Sequence, residues 1–121
     1  MFKDTHELML YVTDYMERQG LNTESDGDYS VHGDAWTDGT AERRPNEYGF
    51  ENLYGLRIDY DVVWKCNAAK DNTSVDVKVI KWNNSCGLIL YKERVNVHMG
   101  ERAVKTRLYR VLEFYAAQAS R

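Results

Sequence analysis

Leu56-Arg57-Ile58-Asp59-Tyr60-Asp61-Val62-Val63-Trp64-Lys65-Cys66 is the stretch that decides the fold. Leu56, Ile58, Tyr60, Val62, Trp64 and Cys66 stand at alternate positions, with Arg57, Asp59, Asp61 and Lys65 between them. Successive side chains of a strand point to opposite faces, so a period of two predicts a strand with one core face and one wet face.

Downstream, Asn67 to Ser74 is rich in turn residues and reads as a loop. Val75 to Trp82 is the returning strand, Val75, Val77 and Val79 alternating with Asp76 and Lys78, and Asn83-Asn84-Ser85 is a tight turn. A third strand is expected from about Gly87 to His98. Its opening Leu88-Ile89-Leu90-Tyr91 is apolar on both faces, which predicts a central strand or one covered on its second side. Gly100 ends it, and residues 101–118 place Val104, Leu108, Val111, Leu112 and Tyr115 on one helical arc, with Arg102, Lys105 and Arg110 opposite.

Upstream, Asp4 to Gln19 has helical spacing: Leu8, Tyr11, Val12, Tyr15 and Met16 share a face, and Gly20 supplies the stop. Residues 22–27 read as a loop. Asp28 to Trp36 is a short alternating stretch with Tyr29, Val31 and Trp36 as inward candidates. Thr37 to Asn46, with Gly39 and Pro45, reads as a flexible excursion, and Glu47 to Tyr54 returns to the fold in a form the pattern leaves unassigned.

The expected fold class is therefore α+β: a two-layer sandwich in which an antiparallel meander of three to four strands lies between an N-terminal and a C-terminal helix, in the order α-β-β-β-β-α. Both helices are expected on one sheet face. At 121 residues the chain supports one core, so residues 1–121 form one domain with an irregular acidic and aromatic excursion at about 22–54. That helix-sheet-helix order is similar to the order of the double-stranded-RNA-binding domain. The basic run that opens the last helix of that family has no counterpart in Glu101-Arg102-Ala103-Val104-Lys105, and about 35 residues follow the first helix before the strong strand.

A 43% hydrophobic and 29% charged composition is that of a folded rather than a disordered chain. No run of about 18 apolar residues occurs, and residues 1–20 carry Lys3, Asp4, Glu7, Asp14, Glu17 and Arg18 where a leader would be apolar. A cytoplasmic chain with no membrane partner is the expectation. Cys66 and Cys86 are expected to remain reduced and unlinked, because a strand of about eight residues separates them by roughly 25 Å. The net charge of −3 conceals polarity: residues 1–64 hold 14 acids and 5 bases, net −9, and residues 65–121 hold 5 acids and 11 bases, net +6. Such polarity steers an oppositely charged partner unless the halves neutralise one another in space.

Tests for chemistry come out negative. Glu24, Asp26, Asp28, Asp34 and Asp38 suggest calcium, but counting from Asp26 puts Val31 where the calcium loop needs Gly and Thr37 where it needs Glu. His32 and Asp34 are two ligands where zinc needs three or four, and His6 and His98 lack metal-binding spacing. No phosphate loop, dinucleotide fingerprint or nucleophile elbow occurs. Asp59 and Asp61 share a strand face about 7 Å apart, but Arg57 and Lys65 share it too, which reads as a charged outer face with cross-strand partners such as Lys78. No metal, no cofactor and no catalytic residue is expected.

Two binding readings remain. Aromatics make up 12% of the chain, nine Tyr and three Trp among them, and Trp36, Tyr48, Phe50 and Tyr54 stand in irregular segments where core packing does not demand them. With Asp34 and Asp38 among them, this set (Asp34, Trp36, Asp38, Tyr48, Phe50, Tyr54) reads as a protein-binding surface suited to a basic partner, because Tyr and Trp are the usual interface anchors. A non-enzymatic inhibitor, immunity or phage-type counter-defence factor would have this character. The alternative is nucleic-acid binding through Lys92, Arg94, Arg102, Lys105 and Arg110. A sheet face near Ile89 and Tyr91 offers a further surface, for a homodimer.

Overall fold

The computed structural model describes residues 1–25, 30–35, 42–63 and 73–120. The first helix, α1 (Thr5–Arg18), starts at Asp4, whose carboxylate accepts a hydrogen bond from the Glu7 amide at 2.9 Å. Such a cap satisfies an amide that the first helical turn cannot pair itself. Gly20, at φ +91°, carries the chain off the helix through a backbone region that side chains disfavour. Leu8, Met9, Val12 and Met16 are buried while Tyr11 and Tyr15 are only partly so, which rotates the core-facing arc toward Met9.

Among the described residues six strands follow, β1 (Leu21–Ser25), β2 (Ser30–Ala35), β3 (Glu42–Pro45), β4 (Glu51–Val62), β5 (Ser74–Asn83) and β6 (Cys86–Asn96), and then α2 (Glu101–Ala119). They lie in the order β1-β2-β4-β5-β6, every pairing antiparallel, and β3 pairs with the first four residues of β4. Leu56, Ile58, Tyr60 and Val62 of β4, with Val75, Val77 and Val79 of β5, form one core with Leu8, Val12 and Met16 of α1 and Val104, Leu108, Val111 and Tyr115 of α2. Both helices thus cover the same sheet face, giving the α+β two-layer architecture. Each fully buried aliphatic contributes about 1.5–3 kcal/mol relative to exposure. No helix among the described residues is long and apolar enough to cross a membrane.

Two segments without an apolar signal are strands. Residues 22–25, read above as loop, belong to β1, whose register runs from Leu21↔Ala35 to Ser25↔Val31. Residues 42–45, placed above in a flexible excursion, form β3. In both, backbone pairing to a neighbour supplies the stabilisation and the side chains leave no period to read. Pro45 ends β3 at the sheet margin, where its missing N–H costs no ladder bond. β4 also begins earlier than its alternation does, because Gly55, at φ +108°, interrupts the pattern between Leu53 and Leu56.

A correction concerns β6. Its apolar opening predicted a central or doubly covered strand, yet β6 is the sheet edge, and Leu88 and Ile89 are 62% and 52% exposed. A register shift between Val79 and Ile80 disturbs the pairing there. Tyr91 is not on the second sheet face: its ring stacks on Phe114 of α2, centroids 4.9 Å apart, so the expected dimer seam through Ile89 and Tyr91 does not exist as one face. The segment 64–72, with Trp64 and Cys66, lies outside the described residues. Cys86 is an exposed free thiol.

Candidate functional site

Two hairpin tips meet at one end of the sheet. The β5–β6 turn is the two-residue link Asn84-Ser85, with φ +53° and +63°, the conformation that matches the twist of paired strands. It docks on the start of β4: the Ser85 amide donates to the Leu53 carbonyl at 2.9 Å, and the Leu53 amide donates to Ser85 Oγ at 3.0 Å. Asn52 Nδ2 and the Tyr54 hydroxyl both donate to Asn84 Oδ1, at 2.7 and 3.2 Å. The Arg44 guanidinium lies over the Tyr54 ring at 4.1 Å, in cation–π range.

The β3–β4 loop, residues 46–50, projects beside this junction. Asn46 Oδ1 accepts from the Tyr48 and Phe50 amides at 2.9 and 3.0 Å, and the Asn46 and Phe50 backbones pair at 2.8 Å. A short polar side chain that bonds backbone amides two and four residues on holds a loop in one shape. On that fixed loop Tyr48 is 76% and Phe50 70% exposed. Arg43, Glu47 and Glu51 are exposed around them, so the rim carries both signs. Leu88 and Ile89 are exposed at the same end of the sheet, and Gly87 opposite Trp82 leaves room for the indole: a Cβ there would meet Trp82 and Ile80 atoms at 3.0 Å.

The sheet face away from the helices is a ladder of compensated charge. Arg57 Nε lies 2.7 Å from Asp59 Oδ1, Lys78 Nζ 2.9 Å from Asp61 Oδ2, and Arg94 pairs with Asp76 through two hydrogen bonds of 2.7 and 3.1 Å. Hydrogen bonding to Asp76 holds the Arg94 pKa above its ordinary value. Arg57 and Asp59 are buried despite lying on this face, with the guanidinium 5.2 Å from the Trp82 ring. Asp59 and Asp61 are thus each bound to a cation. The reading of these carboxylates as a charged face with cross-strand partners holds for Asp61, which Lys78 of β5 takes, but not for Asp59, whose cation is Arg57 of its own strand. Sequence reasoning missed the burial of the Arg57–Asp59 pair, because alternation alone assigns both to water.

The structure brings together only part of the protein-binding set. Tyr48 and Phe50 stand on the tip and Tyr54 is half-buried beneath Arg44. Trp36 and Asp38 lie outside the described residues, and of Asp34 only the backbone, in β2, is described. The acidic stretch that fails the calcium-loop pattern falls largely in the same segments. The basic set divides between layers. Lys92 and Arg94 are on the outer sheet face beside Asp76, at 3.9 and 2.7 Å, whereas Arg102, Lys105 and Arg110 are on α2. Arg110 itself approaches Glu93 at 3.8 Å. Among the described residues no three of His, Cys, Asp and Glu come together as a metal would require.

Comparison with protein-family models, with curated proteins and with solved structures returns no match for this chain.

Proposed function

We propose that this is a non-enzymatic domain that binds a protein partner through the paired hairpin tips, with Tyr48 and Phe50 as its anchors. The observation that carries the reading is two large aromatics, 76% and 70% exposed, on a five-residue loop whose backbone is fixed by Asn46. Exposed aromatics on a preorganised loop bind at little further entropic cost, and residues of this type dominate interface energies. Leu88 and Ile89 would extend the contact as its apolar margin. A blocking role, as an inhibitor or immunity factor, suits a small domain whose recognition surface is a rigid projection. Nucleic-acid binding is the weaker reading because its basic residues face two directions and several are engaged by Asp76 and Glu93.

The test is affinity capture from source-cell lysate with wild type and with Tyr48→Ala/Phe50→Ala, each with and without nuclease, followed by titration of the purified partner. Loss of a single anchor is expected to weaken the complex about 30-fold, the equivalent of about 2 kcal/mol. A partner retained equally by the double variant would remove the tip from the interface, and a partner lost on nuclease treatment would transfer the assignment to nucleic acid.

A further inference from the structure

The β3–β4 hairpin stands apart from the rest of the fold. Among the described residues β3 pairs only with residues 51–54 of β4 and lies off the main strand path, and the β4–β5 ladder begins at Gly55↔Trp82. None of the described residues from 42 to 54 belongs to the core beneath the helices; Leu53 is buried, but outside it. The hairpin is therefore an arm that β4 joins to the sheet through Gly55, whose φ of +108° suits glycine and little else. Tyr48 stands roughly 15 Å beyond that pivot at about 3.3 Å per residue, so a rotation of about 15° there displaces the tip by about 4 Å. An interface is spoiled by much less.

The arm is held by the β5–β6 turn. Five hydrogen bonds join them, and all but the one from the Ser85 amide to the Leu53 carbonyl use a side chain of the turn. Ser85 Oγ accepts from the Leu53 amide and donates to Asn52 Oδ1 at 3.2 Å, while Asn84 Oδ1 accepts from Asn52 Nδ2 and from the Tyr54 hydroxyl. The choice of turn residues points the same way. A two-residue turn with φ above zero at both positions favours Asn followed by Gly, and Asn84 fits it. Ser85 at φ +63° does not, because a side chain there costs conformational energy that glycine avoids. Its hydroxyl offsets that cost by bonding the arm, 32 and 33 residues earlier in the chain. Most of these bonds are exposed, so water competes for each and the arm depends on the set.

We infer that Asn84 and Ser85 are positioning residues for the aromatic tip: they form a latch that fixes the angle of the arm about Gly55, and its release frees the arm while the sheet stays folded. Elements outside a core and held by solvent-exposed hydrogen bonds are those that open locally, below the free energy of global unfolding. The inference rests on the proposed function only for what the tip is used for. The latch itself is a property of the chain alone.

Nitrogen-15 relaxation of the full chain tests it, using wild type, Asn84→Gly, Ser85→Gly and Asn84→Asp. Glycine suits both turn positions, so the two glycine variants keep the turn and delete only what reaches the arm; aspartate tolerates positive φ and keeps the acceptor oxygen. In wild type the amide order parameters of residues 43–54 are expected to match those of β5 and β6, at about 0.85. In each glycine variant the arm should fall to about 0.6, or show relaxation dispersion confined to it if the motion is slower, while β5, β6 and α2 keep their values. Asn84→Asp should retain the rigid arm. Tyr54→Phe, which removes one donor to Asn84 and keeps the ring, takes the place of a glycine variant that does not fold, and the same loosening is expected of it. An arm as rigid in the glycine variants as in wild type, an arm already mobile in wild type, an Asn84→Asp arm as loose as that of Asn84→Gly, or loss of order spreading down β5 and β6 would each overturn the inference. No partner enters the measurement, so a failed latch and a failed binding tip are separate results.

Discussion

Removing Asp59 should be far more damaging than removing the whole Arg57–Asp59 pair. The side chains of Arg57 and Asp59 retain 10% and 9% of their exposure, and the ion contact is 2.7 Å. In Asp59→Ala the Arg57 guanidinium is left buried against Trp82 without its carboxylate. Breaking a buried pair on one side costs about 3–5 kcal/mol, whereas replacing both members by apolar groups of similar volume is often neutral. Because the site keeps a little solvent, the lower end, about 3 kcal/mol, is expected for Asp59→Ala, and under about 1.5 kcal/mol for Arg57→Met/Asp59→Val. A positive coupling between single and double variants is the signature. Equilibrium urea unfolding of wild type, Arg57→Met, Asp59→Val and the double variant, followed by tryptophan fluorescence and by circular dichroism, gives the cycle provided the two probes coincide, with Asp59→Ala measured beside them. An Asp59→Ala cost below about 0.5 kcal/mol, the size of an exposed pair, would show that water screens the contact and refute the reasoning.

Other expectations are as direct. Gly87→Ala should destabilise by about 1–3 kcal/mol in the same unfolding assay and shift the Trp82 environment, because the added methyl meets Ile80 and Trp82 at 3.0 Å; an unchanged midpoint would mean the indole moves aside freely. Asn46→Ala should leave global stability nearly unchanged but weaken the partner complex by loosening the tip, read by calorimetric titration as a larger entropic penalty, and undiminished affinity would show that the loop needs no such brace. The phenols of Tyr11 and Tyr15, raised by burial, and of Tyr91, raised by its hydrogen bond to Glu93, hold their protons more tightly folded than unfolded. Their stabilising contribution is whole below the ordinary value of 10.0 and disappears as pH rises through the raised values, so urea midpoints should fall as pH is raised above 10.0. A profile that stays flat above that value would contradict the sign.

What could be read from the sequence, and what could not, divides along a physical line. The period of two from Leu56 to Val62, the valine alternation of β5 and the helical spacing around Val12 and Leu108 were legible because each records burial on one side of a regular element, and the Asn83-Asn84-Ser85 turn because of its turn-favouring residues. The aromatic tip was legible in part: Tyr48 and Phe50 stood out as aromatics without a core to serve, and they are indeed exposed. β1 and β3 were not legible, since their polar residues are strands only by virtue of the neighbours whose amides and carbonyls they meet. Neither was the edge position of β6, because an apolar run looks the same in the middle of a sheet as at its margin, and sheet order is a property of non-local pairing. The burial of Arg57 and Asp59 and the capture of Arg94 by Asp76 belong to the tertiary structure alone. Composition supplies the charges, but only the packing of distant segments decides which of them are paired, which are buried and which are left facing solvent for a partner.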